Sequence, residues 1–392
     1  MTDPPRRASG DLPYADYVAA ALAEAVDPVA LRAAAARGAR DLLAARPGLP
    51  RGRLLFTGSG DSLFAAASTV PAFRRWTGLA AHALSSLECA RYEVPLLGPE
   101  DVVLAISNSG GSTRTRETVI LARSRGNPTV SLTGSATGGL ADLTDLVIHR
   151  PVAAVTRPPV RYQRLFQNMV QYLATLYTVY ALGLEIGQAL GRLSSARTDD
   201  WFRTLDQVFG SIVPVMRDTQ EPARALADAL AGADTLWVLG AGPNAGTAGY
   251  CAAKCHEQVP INGIPQDLEE WAHLQYFLTL AWGQRSAVVV LAPPGNALDR
   301  AEELVTGIAG AGGRAIVVQH PAHGAFPAAA ARFPVAATES ELLTPILYQL
   351  PVQSLVLCLL DRLGVAETPW RRRDDYVLIR HGTVRPTAAG LS

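Results

Sequence analysis

Lysine is almost missing from this chain of 392 residues. Of the 35 basic side chains only Lys254 is a lysine; the remaining 34 are arginines. A general preference for arginine accounts for the missing lysines but not for the position of the one present. An excess of one charge is also absent. Acidic side chains number 35 as well, so the net charge is zero, which argues against a nucleic-acid partner or a membrane-surface partner. Cysteine is scarce. Cys89, Cys251, Cys255 and Cys358 are too few and too scattered for a disulfide framework. Cys251 and Cys255 lie four apart on an expected helix, but a zinc site needs two further ligands, so packing is expected and no metal. The opening MTDPPRRASGDLPYADY has no apolar core of a signal peptide, so a cytoplasmic location is expected. Long apolar runs are lacking too. The most apolar stretch, 165–186, is interrupted by Gln167, Asn168 and Gln171 and reads as a buried helix rather than a membrane span. What is present is 48% hydrophobic against 18% charged residues, enough for a sizeable core, over a length that suits two to three domains.

Residues 14–46 are rich in Ala and Leu and predict helix with a break at Pro28. The pattern then changes. RLLFTGSGDS (53–62), DVVLAISNSGGST (101–113), PTVSLTGS (128–135) and LVIHR (146–150) read as strands ending in turns, with helical stretches between them. This alternation predicts a parallel sheet covered on both faces. A long helical connection over about 161–231 follows, and the alternation restarts with TLWVLGAG (235–242), SAVVVLAPPG (286–295), RAIVVQH (314–320) and RFPVAA. The two halves share one order of strands, turns and helices, so the chain reads as an internal duplication by pattern. A helix over about 341–363 and an irregular tail close the chain. The expected division is a helical segment at 1–47, a first α/β domain at 48–195 and a second at 196–392.

The strongest local signal is the loop Ser107-Asn108-Ser109-Gly110-Gly111-Ser112-Thr113, between a strand and a helix. It offers hydroxyls together with the open amides of a helix N-terminus, a combination that binds a phosphate monoester. No P-loop pattern is present. A second turn, Gly58-Ser59-Gly60-Asp61-Ser62, also follows a strand of the same sheet, and ligands bind at the carboxyl ends of parallel strands. In the second half, Gly240-Ala241-Gly242 opens a helix as a dinucleotide fingerprint would, with Asp267 near the usual offset. The intervening VPINGIPQD, however, reads as a broken, Pro-flanked run rather than a strand. Farther along, Lys254 and Glu257 are three apart and share one helix face. Such a pair is ordinarily solvated, but here its flanks are unusually apolar. His273 follows in Glu269-Glu270-Trp271-Ala272-His273.

On these residues the chain resembles proteins with two sugar-isomerase (SIS) domains, in particular the isomerase half of glucosamine-6-phosphate synthase and its stand-alone deglycase relatives. The resemblance covers about 48–385. SNSGGST is similar to the family's Ser-Gln-Ser-Gly-Glu-Thr loop, and Ser62 matches the serine of its Gly-x-Gly-Thr-Ser turn. The spacing from Gly240 to Lys254, Glu257 and His273 matches the family's glycine, lysine, glutamate and histidine without a gap. The stretch 345–353 and the tail Leu378-Ile379-Arg380-His381-Gly382-Thr383-Val384 resemble the family's closing segments. The resemblance implies an α/β fold of two tandem doubly wound parallel-sheet SIS domains, with an N-terminal helical segment and an irregular C-terminal tail. It implies that Ser62, Ser107, Asn108, Ser109, Gly110 and Ser112 hold a sugar phosphate, with Asn108 in the place of the loop glutamine. Glu257 would move a proton between C1 and C2, its acidity tuned by burial against Lys254. Lys254 would lie beside the open-chain hydroxyls, and His273, from the neighbouring subunit of a homodimer, would help to open the ring. Arg380 would stand in the closing tail. No cofactor is implied.

Three departures bear on the substrate. No glutaminase domain precedes the helical segment, so ammonia delivery from glutamine is not expected. Gly111 stands where the family has a loop glutamate. Arg380 replaces a lysine, and Val160-Arg161-Tyr162 replaces a Ser-Thr-Lys segment; arginine keeps its charge and cannot act as a neutral amine. The expected activity is isomerisation of an aldose, ketose or 2-amino sugar phosphate through an enediol or enolamine. The alternatives are cleavage of a fructosamine phosphate with release of an amine, and a sensor that binds sugar phosphates without turning them over. A nicotinamide-dependent enzyme is a more distant reading.

Overall fold

The computed structural model describes residues 13–336 and 340–364. Arg380 and the rest of the expected tail lie outside the described residues. The chain runs α1 (Tyr14–Ala25), α2 (Pro28–Ala45), β1 (Arg53–Gly58), α3 (Asp61–Thr77), β2 (Ala80–Ser85), α4 (Ser86–Glu88), β3 (Val102–Ser107), α5 (Thr113–Ser124), β4 (Thr129–Thr133) and β5 (Leu146–His149). The long connection is three helices, α6 (Val160–Ala189), α7 (Ser195–Gly210) and α8 (Ile212–Leu230). Then follow β6 (Thr235–Leu239), α9 (Pro243–Gln258), β7 (Asn262–Gln266), α10 (Leu268–Glu270), α11 (Tyr276–Trp282), β8 (Ala287–Ala292), α12 (Leu298–Gly310), β9 (Arg314–Gln319), β10 (Ala331–Pro334), α13 (Pro345–Tyr348) and α14 (Leu350–Arg362). The break foreseen at Pro28 is a helix start. Asp27 caps α2, its carboxylate accepting from the Val29 amide at 2.9 Å, and Pro28 occupies the first turn, where no amide hydrogen is needed.

The strands form two all-parallel five-stranded sheets, ordered β2-β1-β3-β4-β5 and β10-β9-β8-β6-β7. Read from β7, the second sheet repeats the order of the first, so the duplication seen as pattern is one of topology. Central strands such as VVLAIS and AVVVLA are buried at every position, as strands covered on both faces must be. On α12, Ala301, Leu304, Val305 and Ile308 recur at helical spacing and pack with Val288, Val290 and Val317 of the second sheet. Each larger side chain so buried contributes roughly 1.5–3 kcal/mol.

Two strands differ from the sequence expectation. VPINGIPQD contains a true strand, β7, parallel to β6. It tolerates Pro265 because it is an edge strand, where the missing amide hydrogen interrupts no inner ladder. Strand β2 was not anticipated at all. Its sequence, AAHALS, has neither β-branched nor aromatic residues, and pairing with β1 makes it a strand.

The described chain divides into two compact units. One holds the first sheet and consists of Ala25–Ala154 and Gln167–Asp206. The other holds the second sheet and comprises the described residues up to Glu24, Val155–Phe166 and those from Gln207 onward. In this second unit Asp361 of α14 collects three donors: the hydroxyl of Tyr14, the guanidinium of Arg161 and, at 2.6 Å, the hydroxyl of Tyr162. Arg161 and Tyr162 belong to the segment that replaces Ser-Thr-Lys, and they tie the start of α6 to α14 as Tyr14 ties α1.

Candidate active site

In a sheet of this order the strand direction of travel reverses between β1 and β3, and their carboxyl ends open on one crevice. The loop 107–113 leaves β3 there. Ser107 is buried and Ser109 exposed. Ser109 Oγ accepts from the Gly111 amide at 3.2 Å, and Ser112, at the N-cap of α5, makes no capping bond with its side chain. Gly110 has φ 66°, and a Cβ on Gly139, itself at φ 55°, would stand 2.8 Å from the Gly110 carbonyl oxygen. Two glycines back to back let the loop press onto the turn before Leu140.

The second turn meets this loop through hydroxyls. Ser59 Oγ donates to Ser86 Oγ at 3.2 Å, Ser86 and Thr115 share a bond of 2.8 Å, and Thr115 Oγ1 donates to Ser112 Oγ at 3.1 Å. Ser62 is the second residue of α3, and a Cβ on Gly58 would stand 2.7 Å from its Cβ, so β1 turns directly into that helix. Below the loop, Glu117 has no exposed side-chain surface and is bridged by Arg91 at 2.7 Å and by Arg114. Asn108 is tied inward. Its Nδ2 donates to Gln171 Oε1 at 3.0 Å, and its Oδ1 accepts from Arg150. Sequence reasoning missed Ser86, Thr115, Glu117, Arg150 and Gln171, because none belongs to a contiguous motif.

In the second unit, Lys254 and Glu257 sit on α9. Lys254 is 1% exposed, and its Nζ donates to Glu257 Oε2 at 2.8 Å and lies 4.7 Å from the centre of the Tyr250 ring. Tyr250 is held by Gln353, whose Nε2 donates to its hydroxyl at 2.9 Å. A solvated surface pair is therefore excluded: the lysine is inside, and the carboxylate it holds is 35% exposed. Cys251 and Cys255 are buried neighbours on the same helix, and burial pushes the Cys255 thiol up to about 12. Both are free thiols, and among the described residues no group of three or more His, Cys, Asp or Glu side chains comes together.

His273 lies in the π-helical turn Trp271–Gln275, between α10 and α11. Its side chain is 67% exposed, and its Nε2 is 3.2 Å from Glu269 Oε1. The equivalent π-helical turn of the first unit, Cys89–Glu93, follows α4 in the same way. Leu274, Phe277, Leu280 and Trp282, just beyond His273, are exposed apolar side chains.

The glycine turns are duplicated to within a few degrees. Gly60 has φ 58° and ψ −129°, and Gly242 has φ 54° and ψ −127°. The crevices beside them differ. Where the first unit places its serine loop, the second has Pro293-Pro294-Gly295-Asn296, and the carboxylate of Glu341 lies there. The Asn296 amide donates to it at 3.3 Å, and a Cβ on Gly295 would meet it at 2.3 Å. A pyrophosphate at this turn would face that like charge, which argues against the dinucleotide reading of Gly240-Ala241-Gly242.

Residues 50–182 match the SIS domain family. A glutamine–fructose-6-phosphate aminotransferase (isomerizing) from Aeropyrum pernix is 28% identical over 209 residues, which is 53% of this chain and 32% of that protein. The chain thus matches about a third of that relative's length. Among solved structures, the C-terminal domain of glucosamine-fructose-6-phosphate aminotransferase from Francisella tularensis aligns with a TM-score of 0.74 at 13% identity, over 92% of this chain and 99% of that one. Tagatose-6-phosphate ketose/aldose isomerase from Escherichia coli aligns with a TM-score of 0.59 at 17% identity, over 87% and 94%. The chain is of the α/β class built from two parallel-sheet domains. Its residues 50–182 are similar to the SIS domain, and its described fold is similar to that of the Francisella aminotransferase C-terminal domain. No helix among the described residues is long and apolar enough to cross a membrane.

Proposed function

We propose that the protein is a phosphosugar isomerase that moves a proton between C1 and C2 of an open-chain sugar phosphate. The observation that carries the reading is the Lys254–Glu257 pair: a fully buried ammonium holding a partly exposed carboxylate at 2.8 Å, in a chain whose other unit bears a serine loop at a helix N-terminus. The loop binds the phosphate through Ser107, Ser109, Ser112 and the amides at Gly110 and Gly111, with Ser62 from the adjoining turn. Glu257 takes the proton from C2 of the aldose and returns it to C1, while a hydroxyl proton passes from O2 to O1. Lys254 orients the carboxylate and lies beside the hydroxyls that change order. Deglycation would share the first proton transfer and part ways afterwards, when the amine leaves.

Loop contacts serve substrate and transition state alike, so their loss falls on binding. Ser109→Ala is expected to raise KM about tenfold with kcat little changed, as for a single hydrogen bond to a charged group. Steady-state kinetics on phosphorylated and unphosphorylated hexoses check this. Equal processing of both sugars would remove the phosphate role.

The reading includes a homodimer in which His273 serves the neighbouring subunit. Its exposure and the exposed apolar side chains beside it support that arrangement. Mixing equal amounts of inactive Glu257→Gln and His273→Ala subunits is expected to restore about a quarter of wild-type activity, because half the dimers are mixed and each regains one complete site. Proven mixed dimers without recovery would return His273 to its own chain or to no role.

A further inference from the structure

Arg150 follows the last residue of β5 and is 1% exposed. Its amide donates to the Thr133 carbonyl at 2.8 Å, which fixes it beside the end of β4. One terminal nitrogen of its guanidinium donates to Asn108 Oδ1; the other, also buried, has no partner. Among the described residues no carboxylate forms an ion pair with it, and burial alone pushes its pKa down to about 10. The buried acids of this unit are already paired, Glu117 with Arg91 and Arg114, and Asp101 with Arg53.

A buried cation without an anion is a liability to the folded state. This one lies under the loop whose second residue, Asn108, it holds. Asn108 is fixed at its other end by Gln171, and its carbonyl accepts from the Gly134 amide at 3.1 Å. The turn at Gly134 fits tightly, since a Cβ there would stand 2.9 Å from the Asn108 carbonyl oxygen and 3.8 Å from the Arg150 guanidinium. The serine loop contains no basic residue between Ser107 and Thr113. Arg91 and Arg114 beside it are committed to Glu117, whereas the charge of Arg150 has no anion among the described residues.

We propose that Arg150 is a positioning residue for anion binding: it orients Asn108 and charges the serine loop from below, so that the loop selects a doubly charged phosphate monoester. The proposal rests on the phosphate-loop reading given above. The missing anion is supplied by the ligand, and the charge that burdens the empty protein becomes favourable in the filled one.

The test uses the full chain and inorganic phosphate as probe, with the thermal midpoint and calorimetric affinity as readouts. Arg150→Met is expected to leave the phosphate-free midpoint at or above that of the wild type, because a buried unpaired charge is gone. Its phosphate affinity should fall ten- to a hundredfold, the worth of a hydrogen-bonded charge. Arg150→Lys, which keeps the cation, should recover most of that affinity. A residue that merely filled space would show the reverse: a lower midpoint in Arg150→Met and no rescue of affinity by lysine. An Arg150→Met protein that does not fold, or one that binds phosphate as the wild type does, overturns the proposal. A wild type whose midpoint responds neither to phosphate nor to any hexose phosphate overturns the phosphate-loop reading itself, and this inference with it.

Discussion

Glu257→Gln is expected to fold, to bind sugar phosphate with near wild-type affinity, and to turn it over 10²–10⁴-fold more slowly, the usual worth of a positioned general base. The amide is nearly isosteric with the carboxylate, and its oxygen can still accept from Lys254 Nζ, so the geometry of α9 is kept. What is lost is the ability to take a proton from carbon. The phosphate affinity should survive because the serine loop is built in the other unit, on β3 and α5. Steady-state kinetics with a hexose phosphate, beside a thermal-shift titration, separate the two effects. A variant that loses affinity and keeps kcat would assign Glu257 to binding.

The second large effect concerns the fold beneath that carboxylate. Gly240→Ala is expected to cost about 3 kcal/mol or more, at the upper end for overpacking. Its new Cβ would stand 2.2 Å from the carbonyl oxygen of Asn244 and 2.7 Å from the carbonyl carbon. Both are backbone atoms in the first turn of α9, and the Asn244 side chain is pinned by Thr344, to whose Oγ1 it donates at 2.8 Å. Neither atom can move without shifting the helix that carries Lys254 and Glu257. Gly60→Ala is the control. There a Cβ meets nothing within 4 Å, and only the backbone conformation, φ 58° and ψ −129°, costs, roughly 1–3 kcal/mol. Denaturant midpoints should therefore fall further for Gly240→Ala than for Gly60→Ala. Equal losses would mean that the close approach at Gly240 is relieved cheaply.

How far the sequence reaches depends on the range of the interaction. Lys254 and Glu257 were legible because three residues along a helix guarantee proximity. The burial of Lys254 was not, since it comes from Tyr250 and from Gln353, 103 residues away from that tyrosine. The serine loop was legible as a contiguous motif between a strand and a helix. Arg150 and Gln171, which hold its asparagine from 42 and 63 residues away, carry no local signature. The parallel sheets could be read from runs such as VVLAIS, whereas AAHALS became a strand only through its neighbour. The π-helical turn at His273 was equally hidden, because a single five-residue bulge leaves the apolar spacing around it almost unchanged. Glu341, filling the second crevice, lies 45 residues from the amide it accepts from, and the glycine turn alone could not announce it.

Exchange of solvent deuterium into C1 or C2 of a bound phosphosugar tests the central claim most directly. Proton abstraction from carbon precedes every step that distinguishes isomerisation from amine release, so the measurement does not require the preferred substrate. Wild-type protein incubated in deuterium oxide with a hexose 6-phosphate should label one of the two carbons, and Glu257→Gln should lose that labelling while still binding the sugar. Tight binding by the wild type with no exchange would make the protein a sensor, and exchange that persists undiminished in Glu257→Gln would show that another group is the base.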